Sequence, residues 1–230
     1  MMRIRASGRG DRQVPFHSGK TAMRIPFNSL LPLCVAVALG ALLLPSDARA
    51  QAVAAPACPP ILQHTFPRLQ DEKPQSLCQY AGKVVLVVNT ASFCGFTPQY
   101  KGLEALDSKY RARGLVVLGF PSNDFAQEAG SNKEIADFCE STFGVKFPMF
   151  AKSAVRGPDA SPLFKQLAQI SGTTPKWNFY KYLIGRDGKV VDSYSSMTAP
   201  DDRAFVREIE KQLGAAPVAA ARPASETRSN

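Results

Sequence analysis

Apolar residues fall along this chain in two ways: as unbroken β-branched runs, and as single positions recurring every three or four residues. Val84–Val88 is a continuous apolar run closed by small polar residues, the pattern of a strand buried on both faces. Leu115–Phe120 repeats it. Between the two, Leu103, Leu106 and Tyr110 recur at helical spacing, and Thr97 and Pro98 ahead of them predict an N-cap followed by a first-turn proline. Helices are likewise expected over 132–142, with Ser131 as N-cap, over 161–170, and from about 200 to 213. Phe147–Phe150 reads as the start of an edge strand. Strands over 180–184 and 189–194 flank Gly185-Arg186-Asp187-Gly188, a hairpin signal because Asp-Gly suits a turn with positive φ. The alternation predicts an α/β domain, a sheet flanked by helices.

The order of elements gives Cys94 its interest. It stands after the first strand and within a turn of the following helix N-terminus, where unpaired N–H groups and the positive end of the helix dipole stabilise an anion. A reactive thiolate is expected there. The plainer alternative is a buried structural cysteine.

The first fifty residues differ in composition from the rest. From Met23 the chain has a short basic stretch, an apolar stretch and a small-residue cleavage site at Ala48-Arg49-Ala50, which predicts a secretory signal peptide and a periplasmic or secreted mature protein. The apolar stretch is too short, and too near that site, for a stable membrane anchor. Residues 1–22 precede the better start at Met23. The domain expected after the signal (1–50) spans 51–213, and the Ala- and Pro-rich stretch 214–230 reads as a disordered tail.

Removal of the signal takes with it seven basic and two acidic residues, so the formal charge of +9 falls to +4. The remaining cations are interspersed with acids, without a basic stripe or stacked aromatics, which excludes nucleic acid as a partner. An acidic redox partner remains compatible with them. Cys34 leaves with the signal. Cys58, Cys78, Cys94 and Cys139 remain, and four thiols allow three pairings. The one histidine after the signal, His64, reads as a loop or surface residue, and no metal site is evident.

Four segments in order, NTASFCGFTPQYKGLEAL, GFPSNDFAQE, FCESTFGVKFPMF and PKWNFYKYLI, resemble the glutathione peroxidase family over roughly residues 62–213. The resemblance implies a thioredoxin-like fold with a central mixed sheet. It also implies reduction of hydrogen peroxide or organic hydroperoxides by a peroxidatic cysteine, here Cys94, without a bound cofactor or metal. It places a glutamine, a tryptophan and an asparagine at Gln127, Trp177 and Asn178, whose amide and indole N–H groups donate to a thiolate or a departing alkoxide without adding charge. The segment NDFAQEAG departs from the family's NQFGxQEPG pattern: it is one residue shorter and lacks the proline, which puts the placement of Gln127 in question.

Cys139 falls where thioredoxin-dependent members carry a resolving cysteine. Its spacing with Ile135 and Phe138 also fits a small core residue. If Cys94 and Cys139 are the redox pair, Cys58 and Cys78 are left to clip the N-terminal segment to the domain. The implied electron donor is a thioredoxin-like protein, with glutathione second, since no arginine constellation for glutathione is evident. The short SGTTPK connection implies a monomer. Two other classes compete: a disulfide oxidoreductase, against which Thr97 stands where a C-x-x-C pair would need cysteine, and a non-catalytic binding domain, which has no need of Gln127, Trp177 and Asn178 together.

Overall fold

The structure is a computed structural model that describes residues 57–128 and 130–214. The expected signal peptide and C-terminal tail lie outside the described residues. A short antiparallel hairpin, β1 (Thr65–Pro67) and β2 (Pro74–Ser76), precedes the main sheet. The chain then runs through β3 (Val84–Thr90), α1 (Gln99–Tyr110), β4 (Leu115–Pro121), α2 (Asn132–Phe143), α3 (Pro162–Ser171), β5 (Lys181–Ile184), β6 (Val190–Tyr194) and α4 (Arg203–Gly214).

The four-stranded sheet has the order β4-β3-β5-β6. β3 pairs parallel with β4 and antiparallel with β5, and β5 pairs antiparallel with β6, so the sheet is mixed. A parallel pair needs a crossover, and α1 supplies it. Every residue of β3 and β4 is buried, as their unbroken apolar runs require.

Alternation along β3 divides the core in two. Val84, Leu86 and Val88 face a cluster completed by Leu103 and Leu106 of α1, Ile135 and Cys139 of α2, and Phe205 and Ile209 of α4. Val85 and Val87 face the other, with Leu163 and Phe164 of α3 and Ile61, Leu62, Phe66 and Leu77 of the N-terminal segment. Cys94 and Cys139 therefore belong to the same face of the sheet.

The sheet and helix boundaries depart from expectation in places. Phe147–Phe150 forms isolated bridges rather than a strand: Met149 pairs with Gly119 and Phe150 with Arg68. Gly119 admits this approach because an added Cβ would collide with the Met149 sulfur. α4 starts at Arg203 rather than near Pro200, since the Asp202 carboxylate accepts from the Ala204 and Phe205 N–H groups, each at 2.9 Å. The stretch between Cys58 and Cys78, poor in local signals, folds as the β1–β2 hairpin and two single 3-10 turns.

Candidate active site

The turn between β3 and α1 is tied to itself. The Thr97 hydroxyl donates to the Ala91 carbonyl at 2.9 Å and accepts from the Cys94 N–H at 3.0 Å. That use of Thr97 replaces the expected N-cap: α1 starts at Gln99 after Pro98, without a side-chain cap. Within the turn the Phe96 N–H points at the Cys94 sulfur, 3.4 Å away. The thiol is free and 8% exposed. Beside it, a Cβ added to Gly95 would meet no atom within 4 Å, so the turn has an open side.

The segment carrying Gln127 is held to this turn by the backbone, the Phe93 N–H donating to the Gln127 carbonyl at 3.1 Å. The buried Asn178 amide donates to Gln127 Oε1 at 2.8 Å. With its oxygen so occupied, Gln127 keeps its NH₂ to donate elsewhere. Asn178 is positioned from β3: Asn89 donates to the Trp177 carbonyl at 3.1 Å and accepts from the Tyr180 N–H at 3.1 Å. Trp177 is 42% exposed and packs against Phe125, with ring centroids 5.3 Å apart, so it is not the core aromatic that composition alone would make it. Gln127 and Asn178 are in direct contact; the Gln127 segment is anchored to Phe93, next to Cys94, and the Asn178 segment to Asn89 in β3.

Backbone strain accompanies this arrangement. Ala126 has φ of 56° and Phe179 φ of 62°, both in the left-handed region that non-glycine residues avoid. They are the immediate neighbours of Gln127 and Asn178. The shortened segment makes its turn with alanine at a position suited to glycine.

Cys139 is on α2, free and 2% exposed. α2 is capped at both ends, by the reciprocal Ser131–Glu134 capping box and by Gly144 in the left-handed conformation. Burial pushes the Cys139 thiol up to about 11, the nearby Glu128 adding to the effect while Tyr100 opposes it. Phe138, the preceding residue, stacks on Phe93 with centroids 6.4 Å apart, joining α2 to the Cys94 turn.

The buried Glu128 and Lys181 escaped the sequence reading. Glu128 is fully buried; Ser92 Oγ donates to its Oε2 at 3.1 Å, and burial raises its pKa. Lys181 is also fully buried, Nζ donating to Gln99 Oε1 and to the Phe179 carbonyl, each at 2.8 Å, and desolvation lowers its pKa to about 7. The signal for Lys181 was a lone cation inside an apolar strand run. For Glu128 it was adjacency to Gln127. At the other end of the domain, Cys58 and Cys78 are joined in a disulfide with Cα atoms 5.1 Å apart. His64 accepts or donates across 3.0 Å to Gln166, and no group of metal-binding side chains occurs among the described residues.

The glutathione peroxidase family model matches residues 63–168. The chain is 50% identical over 140 residues to a glutathione peroxidase-like peroxiredoxin of Schizosaccharomyces pombe, covering 59% of this chain and 89% of the relative. It is 49% identical over 154 residues to a hydroperoxy fatty acid reductase of Synechocystis, covering 62% and 90%. Among solved structures, a thioredoxin-family thiol:disulfide interchange protein of Chlorobium tepidum superposes with a TM-score of 0.51 at 18% identity over 66% of this chain and 93% of the other, which establishes a thioredoxin-like fold.

Proposed function

The chain belongs to the glutathione peroxidase family and, with thiol peroxidase activity as the starting point, we propose that Cys94 reduces hydroperoxides, that Cys139 resolves it, and that a thioredoxin-like dithiol protein returns the electrons. The observation that carries this reading is a free thiol in an open turn, with the Phe96 N–H aimed at its sulfur and Gln127, itself bonded to Asn178, held by its backbone to the adjoining Phe93.

In the first step the Cys94 thiolate attacks one peroxide oxygen. The O–O bond breaks, the other oxygen leaves as hydroxide or alkoxide and takes up a proton, and Cys94 becomes a sulfenic acid. The Gln127 NH₂ and the Trp177 indole N–H are the donors available to the charge that moves from sulfur to oxygen. Phe93, 70% exposed, and Trp177 give an organic hydroperoxide an apolar surface beside the thiol. The name of the Synechocystis relative supports a fatty acid hydroperoxide as one such substrate.

In the second step Cys139 attacks the Cys94 sulfur, forming a disulfide and water. α2 must open locally for that, because both thiols are buried and unpaired in the folded protein. A dithiol protein then reduces the disulfide. Export accords with the Cys58–Cys78 bond, since disulfides persist in oxidising compartments.

The test is to add stoichiometric hydrogen peroxide to pre-reduced protein and map its thiols by mass spectrometry, with Cys94→Ser and Cys139→Ser as controls. Rapid formation of a Cys94–Cys139 disulfide is expected. A persistent Cys94 sulfenate that combines with added glutathione would move the donor to glutathione, and a Cys94 that ignores peroxide would end the enzymatic reading.

A further inference from the structure

The buried lysine of β5 is held without a countercharge. Lys181 lies opposite Val88 in the β3–β5 ladder, so its side chain stands on the Cys94 face of the sheet. Its two partners are neutral oxygens, Gln99 Oε1 and the Phe179 carbonyl, each at 2.8 Å. Lysine is almost never fully buried without a paired charge. Two acceptors match the two N–H bonds of a neutral amine, whereas an ammonium would carry a third donor with nothing to meet it. Desolvation acts in the same direction, lowering the pKa to about 7.

These two bonds belong to a closed ring. Gln99 Nε2 donates to the Ser196 carbonyl at 2.7 Å, and Ser196 Oγ donates to the Asn178 carbonyl at 2.6 Å. Asn178 is followed in the chain by Phe179, whose carbonyl accepts from Lys181. The ring thus joins the first residue of α1, the buried Ser196 beyond β6 and the segment entering β5. Both ends of the Gln99 amide are committed, which fixes its orientation.

What the ring clamps is a strained piece of backbone. Phe179 has φ of 62°, a conformation that persists only where its surroundings impose it. Asn178 depends on that backbone: its side chain makes one hydrogen bond, from Nδ2 to Gln127 Oε1, while its Oδ1 is buried without a partner. A single bond does not orient an amide, so the direction of the Asn178 side chain is inherited from the main chain. We propose that Lys181 is a positioning residue for peroxide reduction: through the ring it holds Asn178 against the Gln127 oxygen and keeps the Gln127 NH₂ as the free, donating end of that amide, an inference that rests on Gln127 acting as a donor at Cys94. Without the ring Phe179 relaxes, Asn178 lets go, and the Gln127 amide turns freely.

The ring can be opened at two places. Lys181→Met keeps the length of the side chain without its donor, and Ser196→Ala removes one hydroxyl. Two rate constants are measured at Cys94 of the pre-reduced protein: oxidation by hydrogen peroxide in stopped flow, and alkylation by iodoacetamide, read by mass spectrometry at a pH where the thiol is ionised. Alkylation needs the thiolate and access to it, but no oriented donor for a departing oxygen. Each variant should oxidise about tenfold more slowly than wild type with its alkylation rate retained, as expected for a misplaced donor. The double variant should be no slower than the slower single one, because a ring is broken only once. Oxidation at the wild-type rate in either single variant would overturn the proposal, Ser196→Ala alone at that rate showing that Lys181 acts by itself. Alkylation that changes in step with oxidation would also overturn it, as the mark of a merely structural role. If wild-type Cys94 ignores peroxide, the fault lies with the peroxidase reading instead.

Discussion

The two cysteine pairs of this domain occupy regions built on opposite terms. Cys58 and Cys78 are joined, and the segment between them turns Ile61, Leu62, Phe66 and Leu77 into one core cluster. Cys94 and Cys139 remain apart in the other cluster, where local structure is strained and under-satisfied. Of the seven buried side-chain atoms without a partner among the described residues, those of Thr90, Tyr100, Glu128 and Asn178 surround the Cys94 turn. Among the described residues, two of the three non-glycine residues with positive φ flank Gln127 and Asn178, and the buried lysine holds the first residue of α1. A cross-link that only has to persist can be fully satisfied. Under the proposed mechanism Cys94 and Cys139 must form and break a bond, which needs donors held free and a helix able to open.

The contrast is broken most sharply at Cys94. Cys94→Ser should lower peroxide reduction by roughly a thousandfold or more, because serine offers no comparable nucleophile at neutral pH, while leaving thermal stability nearly unchanged. A coupled peroxide-consumption assay beside a melting curve reads both.

Replacing both Cys58 and Cys78 by Ala should do the reverse. Freeing a segment closed across 20 residues should cost about 3 kcal/mol in urea unfolding, with the rate constant for Cys94 oxidation largely retained in the folded fraction. Equal loss of both properties would show that the clip also shapes the active site.

The buried lysine provides a pH test on the same side of the molecule. Lys181 has a folded pKa of about 7, below its usual 10.5, so the unfolded chain binds more protons between those values. Its contribution to stability therefore grows as pH rises from about 7 and is lost as pH falls toward it. Lys181→Met should flatten the pH dependence of unfolding between pH 7 and 8.5 relative to wild type. That window ends before Cys139 titrates with the opposite sign: with its pKa raised to about 11, its contribution falls as pH rises above 9.

The smallest effect is expected at Ala126. Glycine accepts φ of 56° at no steric cost, so Ala126→Gly should raise stability by roughly 0.5–1 kcal/mol. If activity falls in that variant, the strained alanine is what holds Gln127 in place.

Most of the framework was legible in advance, since runs such as Val84–Val88 and the spacing of Leu103, Leu106 and Tyr110 carry their burial pattern locally. The N-cap at Ser131 was readable for the same reason. Phe147–Phe150 was misread because an apolar run does not say whether a strand partner lies alongside it. Thr97 was misread because its hydroxyl had two uses, and the backbone of Ala91 and Cys94 took it.

The sequence by itself determined the alternation of strands and helices, the position of Cys94 at a strand exit, and the motifs that identify the family. Those properties depend on residue type and near neighbours. Only the tertiary structure decided that Gln127 and Asn178 share a hydrogen bond across 51 residues of chain, that Cys58 meets Cys78, that Tyr100 and Cys139 share one core cluster, and that Glu128 is buried against Ser92. Contacts of that kind depend on how the sheet and its covering helices bring distant segments to one point, and burial then gives a carboxyl, a hydroxyl and a thiol properties that none of them has in an isolated peptide.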